Sequence, residues 1–365
     1  MEKIAQFGKS IGKKLLLLVA SLLVALILIE ILLRAIGYSP AVTSPLTAFH
    51  QADSRLGWIG TPHHTSRFKT LNFDAIVETD SAGFRKGASS VTPAQGASDV
   101  WILGDSTVWG WGVSNEEMFT SVLQEKTGAE IRIRNFGMNA YGTLQESLLL
   151  EKLLSENEPP AKLILMVCGN DFTDNLTDQG GARPFLEISN TDTPPTVANL
   201  PVEREIGGAV ATLTRHSHAM SFLFYCSSLV KQIRKRGEHE DMFANSWKQA
   251  DKTPKGKAKK PLPTEQIKAM RFALEKIDTI CSEHSIDWDI ISFPQATTRY
   301  AKPATTLALE EIATGLKAEL IDLESSMGED RQKYYIGNGD FHWNAAGNSK
   351  AAEVLVEQLG PGLGL

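Results

Sequence analysis

The chain of 365 residues holds only three cysteines, Cys168, Cys226 and Cys281, widely spaced and without a C-x-x-C pair. That excludes a disulfide framework and leaves buried free thiols as the expectation. Basic charge is also scarce: 37 Lys and Arg stand against 43 Asp and Glu, for a net charge of -6. A nucleic-acid binder normally carries a basic footprint, so nucleic acid is excluded as a partner. No G-x-G-x-x-G or P-loop spacing occurs, which disfavours a nucleotide or phosphate site. His63 and His64 are adjacent and would face opposite ways on a strand, and His216 and His218 lack a third ligand at suitable spacing. No metal centre is therefore expected. No internal repeat is evident.

What the chain does have begins at its start. Residues 1–14 carry Lys3, Lys9, Lys13 and Lys14 against the single acid Glu2, and an apolar run from Leu15 to Leu33 is interrupted only by Ser21 and Glu30. As a helix the run is about 29 Å long, close to the hydrocarbon thickness of a bilayer. Glu30, Arg34 and Tyr38 suit the far border. The reading is a basic cytoplasmic tail over 1–14 and a transmembrane anchor over 15–35, with the rest of the chain outside. A cleaved signal peptide is the rival, but no A-x-A site follows the run. Residues 36–98 form a polar approach segment whose pieces around Leu56-Gly57-Trp58 and Gly83-Phe84-Arg85 are expected to pack on the domain.

From residue 99 to about 360, strand and helix patterns alternate, as in an α/β domain with a doubly wound, mainly parallel sheet. Strands are expected at 100–104, 130–136, 162–168, 288–293 and 319–323. Helices are expected at 116–127, 143–157, 264–283, 306–316 and 344–359. Residues 172–263 break the rhythm with Pro184, Pro194, Pro195 and Pro201 and a lysine-rich stretch at 251–260. They read as an insertion with a basic loop.

The apolar strand Val100-Trp101-Ile102-Leu103 stops at Gly104-Asp105-Ser106. A serine at the carboxyl end of a parallel strand lies where open α/β sheets place their ligands. Its hydroxyl is a poor nucleophile unless a base takes the proton during attack. His342, in the loop before the last helix, is the candidate base, with Asp340 to orient the imidazole. The oxyanion of the tetrahedral intermediate needs donors. Asn170, at the end of its strand, the Ser106 backbone N–H, and an N–H from the turn at 135–142 are the candidates.

These blocks resemble the SGNH/GDSL hydrolase superfamily over residues of roughly 100–175 and 285–360. The resemblance implies a flavodoxin-like sheet, with Ser106 of Gly104-Asp105-Ser106 as nucleophile and Asn170 of Gly169-Asn170-Asp171 as oxyanion donor. The family's second block places a glycine N–H five residues after an asparagine. Counting from Asn135 lands on Ala140, with Gly137 or Gly142 as fallback. The last block usually reads Asp-x-x-His, whereas here it is Asp340-Phe341-His342-Trp343. That pattern resembles a membrane-anchored branch related to bacterial polysaccharide O-acetyltransferases. The expectation is a serine esterase or O-acyltransferase anchored in the bacterial inner membrane and facing the periplasm. It would act on a small acyl ester or acylated glycan, with no cofactor. A catalytically silent glycan-binding or scaffold protein is the alternative.

Overall fold

The computed structural model describes residues 2–190, 193–252, 261–294, 303–328 and 331–363. An N-terminal helix α1 (Glu2–Ala35) leads through a short helix α2 (Pro45–Ala48) into two antiparallel hairpins. These are β1 (His50–Asp53) with β2 (Gly57–Gly60), and β3 (Thr65–Lys69) with β4 (Asp74–Glu78). The stretch Gly12–Ala35 of α1 contains an 18-residue window with a mean hydropathy of 3.1 and is long and apolar enough to cross a membrane.

The centre is a five-stranded sheet of β5 (Ser98–Gly104), β6 (Ile131–Asn135), β7 (Lys162–Val167), β10 (Asp287–Ser292) and β11 (Glu319–Asp322). Its order is β11-β10-β7-β5-β6 and every pair is parallel, which is the doubly wound arrangement. The edge position of β6 matches its period-two alternation, whereas β7 is buried at all six positions. Alternation along β5 divides the core. Trp101 and Leu103 pack with α5 (Thr143–Glu156), α9 (Thr264–Glu283) and α10 (Ala304–Ala313). Val100 and Ile102 pack with α4 (Phe119–Thr127) and α12 (Ala345–Leu363) on the other face.

Where expectation and structure differ, local chemistry accounts for it. The helix expected over 116–127 is a 3₁₀ turn at Asn115–Glu117 and then α4, broken at Met118, whose backbone is extended. The helix expected at 306–316 starts two residues earlier, directly after Pro303, whose fixed φ suits a helix start. Between β7 and α9 the chain forms a short helix α6 (Asp171–Asp174), a hairpin of β8 (Phe185–Glu187) and β9 (Thr196–Ala198), and helices α7 (Gly208–His216) and α8 (His218–Lys252). Of the basic stretch, 253–260 lies outside the described residues. All three cysteines are free, but Cys226 is only half-buried. His64 is also half-buried and bonds Ser66 Oγ through Nε2, so of this adjacent pair His63 alone is exposed.

The approach segment is part of the core. Leu56 and Trp58 are fully buried, and the Trp58 indole donates to the Asn139 carbonyl (3.0 Å). Arg85 is fully buried too. Its guanidinium donates to the carbonyls of Trp109, Gly110 and Val113 and to Asn115 Oδ1, and lies over the Trp109 ring at 4.8 Å. One side chain thus gathers the whole loop that follows the Ser106 turn. Arg85→Ala would strand those acceptors in the interior and is expected to cost about 3–5 kcal/mol. Chemical denaturation of the two proteins measures it.

Candidate active site

Strand β5 ends at Gly104, and a one-turn helix α3 (Ser106–Trp109) starts at once, capped by the Asp105 carboxylate, which accepts from Thr107 N–H (2.9 Å). The abrupt turn sets Ser106 at the carboxyl edge between β5 and β7, where the strand order reverses. The N–H of Ser106 meets no acceptor among the described residues.

His342 and Asp340 are not in a loop. They lie on β13 (Asp340–Trp343), paired with β12 (Tyr335–Gly337) across a two-residue turn, Asn338-Gly339. Both turn residues have positive φ, 53° and 84°, as a tight hairpin with an Asn-Gly turn requires. On a strand, residues two apart share a face, so the Asp-x-His spacing brings the carboxylate under the imidazole. Trp343 points the other way, buried against Phe119 and Phe293.

The side chains meet. Ser106 Oγ is 2.8 Å from His342 Nε2, and His342 Nδ1 is 2.7 Å from Asp340 Oδ1. The other oxygen of Asp340 accepts from the Trp111 indole at 2.9 Å. The same indole stacks on the imidazole, with centroids 4.7 Å apart and planes 16° apart. Trp111 is therefore a partner of both, and sequence reasoning missed it. Burial raises the pKa of Asp340, but the hydrogen bonds and charge from His342, with help from Trp111, outweigh it and hold the pKa below the usual value. A carboxylate kept ionised beside Nδ1 is what fixes the tautomer with Nε2 open toward Ser106.

In the turn after β6 the candidate backbone N–H groups differ in their partners. Gly137 N–H donates to Asn135 Oδ1 (2.8 Å), so the fallback donor is already engaged. Gly142 N–H faces Gln145 Oε1 at the start of α5. The Ala140 N–H has no acceptor among the described residues, and Ala140 lines the same cleft as Ser106. Its φ is 58°, the left-handed region that glycine adopts freely, so alanine carries there a backbone strain of roughly 1 kcal/mol.

Asn170 also lines the cleft, but its amide is occupied: Nδ2 donates to Asp174 Oδ2 (2.9 Å) and Asp105 Oδ2 (3.2 Å). Beneath it sits a group of carboxyls that the sequence reading overlooked. Asp171 is fully buried and accepts from Cys168 N–H (2.9 Å). Glu146, on α5, is fully buried with neither oxygen hydrogen-bonded. Burial, then the neighbouring charges of Asp105 and Asp174, drives its pKa well above the ordinary value.

A carboxyl whose pKa is raised by folding stabilises the fold fully only below the unfolded value, and that contribution drains away as pH climbs toward the folded value. This group is therefore expected to withdraw stability from about pH 4.5 upward, with a slope approaching about 1.4 kcal/mol per pH unit, the value for a difference of one bound proton. Glu146→Gln, which imitates the protonated form, should flatten the slope. Thermal melts across pH 5–8 check it; parallel curves for the two proteins would contradict the assignment.

The cleft, about 980 Å³, is lined by Ser106, Trp111, Ala140, Asn170 and His342 on the sheet side and by Lys231, Gln232 and Lys235 of α8 opposite. No protein-family model matches the sequence, and no curated protein is detectably similar to it. Among solved structures, the chain is similar to the psychrotrophic esterase EstA from Pseudoalteromonas sp., at 13% identity over 73% of this chain and 100% of that one, with a TM-score of 0.38. It is also similar to an aryl esterase of M. smegmatis, at 14% identity, 73% and 99% coverage and a TM-score of 0.39. Est24, a carbohydrate acetylesterase from Sinorhizobium meliloti, gives 12% identity, 72% and 99% coverage and a TM-score of 0.37.

Proposed function

We propose that this protein is a serine esterase or O-acyltransferase of the SGNH/GDSL type, held in the bacterial inner membrane by α1 with its domain on the periplasmic side. The observation that carries the reading is the unbroken chain Ser106 Oγ, His342 Nε2, His342 Nδ1, Asp340 Oδ1, with links of 2.8 and 2.7 Å. Ser106 attacks the acyl carbonyl as its proton passes to Nε2, and Asp340 stabilises the resulting imidazolium. The free N–H groups of Ser106 and Ala140 receive the oxyanion, and Asn170 joins them by turning one amide hydrogen away from its carboxylates. The protonated His342 then hands its proton to the departing alkoxide. Water or a sugar hydroxyl, deprotonated by the same imidazole, takes the acyl group, and acetyl esters of envelope glycans fit this chemistry.

The test is covalent. A fluorophosphonate should add one phosphonyl group to Ser106, with fluoride leaving, as read by intact mass and peptide mapping. Lack of labelling in a folded sample would favour the silent glycan-binding alternative. Acyl-enzyme mass after incubation with acetylated envelope glycans then identifies the group transferred.

A further inference from the structure

The elbow between α7 and α8 is joined to the end of α1 by specific polar bonds. Glu30, the only acid in the apolar run, accepts from Ser217 Oγ and from the Ala219 N–H, both at 2.8 Å, and so caps the first turn of α8. One turn later Arg34 bonds Glu30 (2.6 Å) and donates to the His216 carbonyl (3.0 Å) at the end of α7. Just beyond the helix, Tyr38 rests edge-on against Phe222, ring centroids 6.1 Å apart. The elbow is thereby held level with the last turns of a helix built to cross a bilayer.

Its outer surface suits that level. Val210 and Leu213, one turn apart on α7, are 42% and 48% exposed, and Leu223 and Phe224 on α8 are 44% and 39% exposed. Residues 207–230 contain no acid and no lysine, in a chain with 43 acids; Arg215, His216 and His218 are their only basic residues. A surface that is apolar, free of carboxylates and edged with a few basic groups is what the interfacial layer of a bilayer accepts.

We propose that the α7–α8 elbow is a second membrane contact, seated in the interfacial layer of the bilayer that α1 crosses, with Val210, Leu213, Leu223 and Phe224 at the boundary between headgroups and acyl chains. The proposal rests on the reading of α1 as an anchor. A single spanning helix leaves a domain free to swivel; two contacts fix its tilt. From Ala219, α8 runs about 18 Å along its axis to Lys231 and about 24 Å to Lys235, both lining the cleft of Ser106. The elbow therefore sets the distance between the bilayer and the nucleophile.

The experiment uses the full chain reconstituted in phosphatidylglycerol–phosphatidylethanolamine vesicles. With Cys226→Ser removing the half-buried thiol, Leu22→Cys, Leu213→Cys, Leu223→Cys and Leu307→Cys are each labelled with an environment-sensitive fluorophore, and lipids brominated on the acyl chain serve as quencher. Leu307 is an equally exposed leucine on α10, away from the elbow. Strong quenching is expected at 22, 213 and 223, and at least threefold less at 307. Quenching at 22 with 213 and 223 behaving like 307 would overturn the elbow contact while leaving the anchor intact. Absence of quenching at 22 would remove the anchor and the proposal with it.

Discussion

Alanine at position 106 is expected to lower turnover of an activated acetyl ester by about 10⁵–10⁶-fold while leaving the melting curve in place. Among the described residues the hydroxyl bonds His342 alone, and Ser106 is only half-buried, so its removal opens no core cavity. His342→Ala should cost about as much alone, and the double variant little more, because nucleophile and base act as one unit. Steady-state rates of the three variants with a chromogenic acetate check this. Ser106→Ala with wild-type turnover would end the mechanism.

The second large effect is expected at Arg183, a residue outside every sequence motif. It is 1% exposed, and its guanidinium donates to the Ala140 carbonyl (2.9 Å), to Asp174 Oδ1 (2.8 Å) and to the Thr177 carbonyl (2.7 Å). Asp174 in turn holds the Asn170 amide. One planar fork thus ties together two of the three proposed oxyanion donors, which come from different crossovers. Asn170→Ala removes one donor and should raise the barrier by about 3 kcal/mol. Arg183→Ala loosens Ala140 and Asn170 together, and kcat should fall at least 10²-fold with KM little changed. Arg183→Lys should recover only part, since an ammonium cannot span the same fork. Counting active sites with the fluorophosphonate separates the causes. Misfolding would lower the labelled fraction, whereas misplaced donors lower the rate per labelled site.

The strands and the order of the motifs were legible because they follow from local pattern. The buried runs at 100–103 and 162–167 have the length and β-branched content of central strands, and Thr264–Glu283 coincides with its expected helix. The Asn338-Gly339 pair is a hairpin signal for the segment carrying Asp340 and His342, but β12 has only three residues and offers too little periodicity to mark a strand. Trp111, Arg183 and Glu146 left no local trace. Each matters through partners between 6 and 231 positions away, such as Thr177 and Asp174 for Arg183 and His342 for Trp111.

By itself, then, the sequence determined the alternation of elements, the apolar start of the chain, and the identities of Ser106, Ala140, Asn170, Asp340 and His342 as candidates, because hydrophobic period and turn chemistry are properties of neighbours. Only the tertiary structure decided that Ala140 rather than Gly137 offers an open N–H, that Trp111 covers the histidine, and that a buried carboxyl group lies under Asn170. Those are outcomes of which donors and acceptors remain unpaired once the crossovers close on the sheet, and no stretch of chain contains that information alone.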